Sequence, residues 1–264
     1  MTVDDEILAL FQAAATDREH GASEIENRLV RGLLALDVLT RPGSLRAGTD
    51  SLVVGQPAMA NLRSLAAAAA EGDADAFTEW LENRSQVLGA LPERLAAAAW
   101  PLIEGRREIV TISRSTAVAA VVEGAWGSGW RGSVVVLDGT STGRGPEQAM
   151  RLSISGEARS LSDAAAADVL GGSGKLVVVG ADAVAREHFV NSAGTTTLLE
   201  LAKVRGVERV LVADSGKDVS EKMLEEILAV LPRHREAPSR EWTVFEAVPL
   251  GLISTRIMEL GIRN

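Results

Sequence analysis

No cysteine occurs in the 264 residues, which excludes disulfides, thiolate metal sites and a cysteine nucleophile. Tyrosine is absent as well, and aromatic residues make up only 3%. Histidine is confined to His20, His188 and His234, at spacings that match no paired ligand set, and no metal site is expected. Basic residues number 27 against 36 acidic ones, a net charge of −9, which speaks against a nucleic-acid partner held by phosphate neutralisation. No window approaches the roughly 18 uninterrupted apolar residues of a membrane span. The stretch Met1-Thr-Val-Asp-Asp-Glu6 lacks the basic and apolar parts of a secretory signal. The expectation is a cytoplasmic protein without membrane or nucleic-acid partners.

What is present falls into two textures. Residues 1–105 read as helices. Ile7, Leu10, Phe11 and Ala14 recur at helical period, giving one apolar face. Ser23 followed by Glu26 has the spacing of a capping box, ahead of a stripe of Ile25, Leu29, Leu33 and Leu36 that Pro42-Gly43 would end. Further helices are expected over 58–70, 74–88 and 91–100, the last closed by Pro101. From residue 106 the period changes. Glu108-Ile-Val-Thr-Ile-Ser113, Ser133-Val-Val-Val-Leu-Asp138, Lys175-Leu-Val-Val-Val-Gly180 and Arg209-Val-Leu-Val-Ala-Asp214 are short β-branched runs. Such runs fit strands covered on both faces, with helices between them. The fold class is therefore α/β: a helical N-terminal domain, 1–105, followed by a Rossmann-like, doubly wound parallel-sheet domain, 106–264. Charge divides likewise, with 8 basic and 16 acidic residues before the boundary and 19 and 20 after it.

Ligands of open parallel sheets bind outside the carboxyl ends of the strands. The residues there are Ser113, Arg114 and Ser115; Asp138 through Gly145; Asp182; and Asp214 to Lys217. Ser113-Arg-Ser115 offers two hydroxyls and a guanidinium beside a helix start, where free amides attract anions. Gly139-Thr-Ser-Thr-Gly-Arg-Gly145 is either an anion cradle with Arg144 in it or a plain strand-to-helix turn. Asp182 ends an apolar strand, where desolvation would raise its proton affinity and poise it as a general acid; alternatively it caps the next helical turn. Two cofactor look-alikes fail. Gly171-Gly-Ser-Gly-Lys175 has Val169 and Leu176 where a P-loop needs glycine and a hydroxyl residue, and Gly143-Arg-Gly145 continues to Gln148 instead of a third glycine. No cofactor is expected. Trp126 and Trp130 read as helix-end packing, His188 as a solvated loop residue near the site, and 233–240 as an exposed connection.

Five segments in order resemble the family of translation initiation factor 2B alpha, beta and delta subunits, which includes 5-methylthioribose-1-phosphate isomerase and ribose-1,5-bisphosphate isomerase. They are Ile109-Val-Thr-Ile-Ser-Arg-Ser115; Val135-Val-Leu-Asp138 through Gly145-Pro-Glu-Gln-Ala149; Val178-Val-Gly-Ala-Asp182 with Asn191-Ser-Ala-Gly194-Thr195; Val212-Ala-Asp-Ser-Gly-Lys217; and Phe245-Glu-Ala-Val-Pro249 leading to Glu259-Leu-Gly261. Gly55-Gln-Pro-Ala58 is a fainter match to the isomerases' Arg-Gly-Ala-Pro-Ala. The resemblance implies a homodimer and a site at the carboxyl edge of the sheet. There Asp182 occupies the place of the isomerases' catalytic aspartate and Ser113 that of their catalytic cysteine. Substrate contacts would come from Gly55, Gln56, Arg114, Ser115, Asp138, Arg144, Gly145, Asn191, Ser192 and Gly194. Three of the family's basic residues are missing: Val54 and Ser192 stand in the places of two, and Asp138-Gly-Thr-Ser141, which matches the family's Glu-Ser/Thr-Arg-Pro, lacks the third. A serine hydroxyl is a poor proton carrier without a base, so three functions stand open. They are a protein that binds a phosphorylated sugar or nucleotide through a degenerate isomerase site, an aldose-to-ketose phosphate isomerase using Asp182, and a dimeric interaction protein with a vestigial pocket.

Overall fold

A computed structural model describes residues 2–17, 19–36, 42–71, 73–139, 143–231 and 245–263. Residues 140–142 of the Gly-rich loop and the 233–240 connection, with His234, lie outside the described residues. The chain divides into two compact units, Met1–Leu91 and Pro92–Asn264.

The first unit contains α1 (Val3–Thr16), α2 (Ala22–Leu34), α3 (Pro42–Gly55), α4 (Ala60–Ala70) and the beginning of α5 (Ala74–Ile103). The start of α1 is closed by a reciprocal cap: the Asp5 amide donates to Thr2 Oγ1 at 3.2 Å and the Thr2 amide to Asp5 Oδ2 at 2.9 Å. Ile7, Phe11 and Ala14 are buried as their spacing predicts. A Cβ on Gly48 would meet the Phe11 ring and one on Gly55 the Ala15 carbonyl, at 2.3 and 2.4 Å, so both glycines permit the close approach of α3 to α1.

Three helical expectations are corrected. The Ser23–Glu26 capping box does not form. The α2 helix begins at Ala22, its preceding Gly21 amide donating to Glu24 at 3.4 Å, because Glu26 points inward to the guanidinium of Arg84. Pro42-Gly43 opens a helix instead of ending one: a proline in the first helical turn loses only an amide that had no partner. Finally, α5 runs through Pro92 and past Pro101. An interior proline costs about 3 kcal/mol, but each Leu or Ile buried recovers about 1.5–3 kcal/mol. Leu88, Leu91, Leu95, Ala99 and Ile103 lie buried along one face of α5.

The second unit continues with β1 (Glu108–Ile112), α6 (Thr116–Gly127), β2 (Ser133–Leu137), α7 (Gly145–Leu152), β3 (Ala158–Leu161), α8 (Ala166–Val169) and β4 (Lys175–Val179). Then come β5 (Ala183–Val184), β6 (His188–Ser192), α9 (Thr195–Val204), β7 (Glu208–Val212), α10 (Glu221–Val230), β8 (Phe245–Pro249), β9 (Thr255–Met258) and β10 (Gly261–Arg263). Seven strands form one sheet in the order β10-β9-β7-β4-β1-β2-β3, parallel but for β10. The four β-branched runs are its buried centre, as their composition predicts. A small antiparallel sheet, β5-β6-β8, has no counterpart in the expected elements. Strand order reverses between β1 and β4, and their carboxyl ends flank the switch point where ligands of such sheets bind.

Candidate functional site

Ser113 follows β1 and Asp182 follows β4, one on each side of the switch point. Ser113 is 3% exposed and holds φ at +60°, the one non-glycine residue with a positive φ among the described residues. Its amide donates to the Leu137 carbonyl at 2.9 Å. A left-handed serine is a strained conformation that neighbouring structure must impose. Ser115 caps α6, its hydroxyl accepting from the Val118 amide at 3.3 Å. A Cβ on Gly180 would lie 2.4 Å from that hydroxyl, so a glycine after β4 lets the two strand ends meet.

Asp182 is half-buried. Its amide donates to Val190 at 2.8 Å, which opens the β5–β6 hairpin instead of a helix; the helix-cap alternative is thereby set aside. Burial pushes the Asp182 carboxyl above the usual aspartate range, and the positive charges of Lys217 and Arg144 oppose that shift without cancelling it. Among the described residues no group donates a hydrogen bond to this carboxyl.

Lys217, which the sequence places at a strand end without marking it as a site residue, is only 5% exposed. It ends a 3-10 turn, Ser215–Lys217, fixed at its start by Asp214, whose carboxylate accepts from the Gly216 amide at 3.0 Å. Glu259 accepts from both the amide and the hydroxyl of Ser215. The Lys217 ammonium donates to the Ala181 carbonyl at 2.6 Å. A lysine is rarely buried, and the depth of this one is not legible in its local sequence.

The Gly-rich loop leaves β2 through Asp138, which accepts from the Ser160 hydroxyl at 2.6 Å, and Gly139, whose amide donates to Asp163 at 2.8 Å. Gly145 closes it onto the Asp138 carbonyl at 2.9 Å. A Cβ there would lie 2.4 Å from the Leu137 carbonyl, so only glycine lets α7 begin so near the strand, with Arg144 just ahead of it. Arg114, whose side chain is 8% exposed, is paired with Glu147 at 2.8 Å.

Other expected ligand contacts are engaged within the protein. Asn191 and Ser192 end β6. Asn191 donates to the Thr195 hydroxyl at 3.2 Å, and that hydroxyl to the Ser192 carbonyl at 2.6 Å. Gly194, at φ +101°, turns the chain into α9, whose Thr196 amide donates to Glu246 at 2.8 Å. The carboxylate thus occupies the N-terminus of α9. Gln56, in the first unit, donates to the carbonyls of Ala14 and Asp17 at 3.0 and 2.6 Å, and Gly55 packs on Ala15. His188 opens β6, about 13 Å of extended strand from Ser192. Trp126 and Trp130 stack at 5.9 Å and donate to the carbonyls of Gly132 and Arg106, which fits packing. Among the described residues no cluster of three His, Asp or Glu could hold a metal, and no helix is long and apolar enough to cross a membrane.

The structure thus brings Asp182, Arg144 and Lys217 into one electrostatic neighbourhood at the switch point. It is similar in fold to a translation initiation factor eIF-2B from Pyrococcus horikoshii, with 21% identity over 97% of this chain and 96% of that one, at a TM-score of 0.81. The eIF2B delta subunit of Chaetomium thermophilum matches at 16% identity over 96% and 97%, TM-score 0.73. The 5-methylthioribose 1-phosphate isomerase of Pyrococcus horikoshii matches at 18% identity over 97% and 84%, TM-score 0.69. No curated protein sequence matches the chain. The model of the initiation factor 2 subunit family matches residues 50–262, which takes in all five resembling segments and the faint match at Gly55. The chain belongs to the initiation factor 2 subunit family.

Proposed function

We propose that the second unit binds a phosphorylated sugar or nucleotide at the carboxyl edge of its sheet, without the thiol chemistry of the isomerases. The observation that carries this reading is that the positive charges of Arg144 and Lys217 both act on the buried Asp182 carboxyl at the carboxyl edge of the sheet. A guanidinium there can pair phosphate oxygens in bidentate fashion. The chain would act in the cytoplasm as a homodimer. The eIF2B beta and delta subunits of C. thermophilum form a tetrameric complex, and here Leu260 and Ile262 are 69% and 45% exposed at the β10 edge, where unpaired strand groups and apolar side chains suit a second chain.

Calorimetric titration of the whole chain with pentose 1-phosphates, pentose bisphosphates and nucleoside monophosphates tests this. Saturable binding of at least one compound, weakened tenfold or more in Arg144→Gln, is the expected result. No binding to a folded dimer would sink it and leave a protein-interaction role.

A second reading, an aldose-to-ketose phosphate isomerase, is favoured by the proton affinity of Asp182. A carboxyl whose proton affinity is raised by desolvation holds its proton more firmly than an ordinary aspartate does, which suits it to proton transfer. Ser113 would have to carry the second proton, and a hydroxyl does this poorly. Incubating the bound compound in deuterated water separates the two. Deuterium at the carbon beside the carbonyl, lost in Asp182→Asn, would establish turnover; an unlabelled, unchanged compound leaves binding alone.

A further inference from the structure

Three groups that could receive an anion beyond the strand ends are already held by carboxylates of this chain. Arg114 Nη1 donates to Glu147, the Gly139 amide to Asp163 and the Thr196 amide to Glu246, each at 2.8 Å. In every case the carboxylate comes from a different element than its donor, and an internal carboxylate in such a place competes with any anionic ligand. The three differ in how readily they can leave. Glu246 is half-buried in β8, opposite Asn191 of β6, and Asp163, also half-buried, begins the 3-10 turn Asp163–Ala165. Glu147 stands on the first turn of α7 with its side chain 51% exposed, and has no second side-chain partner among the described residues. The guanidinium it holds is only 8% exposed.

That asymmetry decides which partner can move. Glu147 can exchange its pair for water at little cost, because the carboxylate of an exposed pair is nearly as well solvated free. Arg114 cannot, since a buried guanidinium left without a counter-charge is strongly penalised. Whatever replaces Glu147 must therefore be an anion, and a phosphate matches the planar fork of the guanidinium. We propose that Glu147 is a displaceable counter-ion: it neutralises Arg114 until the phosphate of the ligand takes its place. This rests on the phosphorylated-ligand reading above and adds a regulation of that site. The chain's own carboxylate lowers the affinity for phosphate and so raises the ligand concentration at which the site fills.

The test is a double-mutant cycle read by calorimetric titration of the whole chain. The probes are D-ribose 1-phosphate, D-ribose 1,5-bisphosphate and adenosine 5′-monophosphate. Glu147→Gln removes the charge and keeps the shape, and should bind at least one probe about three- to tenfold more tightly than wild type, the fold-change expected for loss of a weak pair. In an Arg114→Gln background the same substitution should change affinity by less than about twofold, because no pair is left to break. An equal gain in both backgrounds would be a long-range effect of charge and would overturn the inference. So would wild-type binding that Glu147→Gln leaves unchanged or weakens, with the phosphate site itself left standing. Should Arg114→Gln fail to fold, Glu147→Asp decides: it keeps the charge but shortens its reach, so tighter binding supports displacement and unchanged binding overturns it. If none of the probes binds any of these proteins, the phosphorylated-ligand reading fails and the role of Glu147 with it.

Discussion

Each unit of this protein buries a charged cluster, and the two are built in opposite ways. In the first unit Glu26 accepts from Arg84 through both oxygens, at 2.6 and 2.7 Å, and from Asn61 at 2.8 Å. Both Glu26 oxygens are engaged by the guanidinium, so the charge pair is closed within the chain. In the second unit Asp182 accepts nothing from the described residues, Lys217 donates once, and the charges lie within reach of each other without pairing. That cluster is open. Desolvation penalises both, but only the first is compensated by the chain itself. A buried charge satisfied internally reads as architecture; one left unsatisfied at a sheet's switch point reads as a place for a ligand.

The comparison can be broken most forcefully in the closed cluster. Arg84→Ala should cost about 3–5 kcal/mol in denaturant unfolding, because it strands a buried carboxylate. Replacing both partners, Glu26→Leu with Arg84→Met, should recover most of that loss. A single-variant cost below about 1 kcal/mol would mean the cluster is not closed at all. Next in size is the frame of the open cluster. Gly145→Ala places a Cβ against the Leu137 carbonyl, with backbone on both sides, and should cost about 1–3 kcal/mol in the same measurement.

The open cluster should respond with the opposite sign. The folded protein holds the Asp182 proton more tightly than the unfolded chain does. Stability contributed by this group is therefore lost as pH rises from the ordinary aspartate range through the raised folded value. Asp182→Asn removes that penalty. The variant should be more stable than wild type by about 1 kcal/mol at pH 7, as substitutions at strained functional sites often are, and the gain should vanish below the ordinary aspartate range. Thermal unfolding across pH reads this directly; a destabilised Asp182→Asn at pH 7 would place Asp182 with the closed kind. Smallest of all, Glu147→Gln should change stability by less than about 1 kcal/mol, since Glu147 is 51% exposed and exposed pairs contribute little.

The sheet was legible because its four central strands are continuous β-branched runs, a signal that needs no partner to be read. The same logic failed for α3 and α5, where prolines that usually mark ends sit at a first turn and on the exposed side of a helix whose other face is buried. Asp182 could be read at its strand end in two ways, as an acid or as a cap, and the resemblance gave it a place at the site. The depth of Lys217 could not be read, since it comes from the 3-10 turn and from Glu259, distant in sequence. Nor could the occupancy of Arg114, Gly139 and the α9 terminus by Glu147, Asp163 and Glu246. These carboxylates arrive from other elements, and no local spacing announces them.

The most direct test of the open cluster is the thermal midpoint of the wild-type chain with each pentose 1-phosphate, pentose bisphosphate and nucleoside monophosphate. A compound at 100 times its dissociation constant adds about 2.7 kcal/mol. The midpoint should rise by several degrees with at least one of them and not with the corresponding free sugar. A midpoint that no compound moves, in a protein that is folded throughout, would contradict the account.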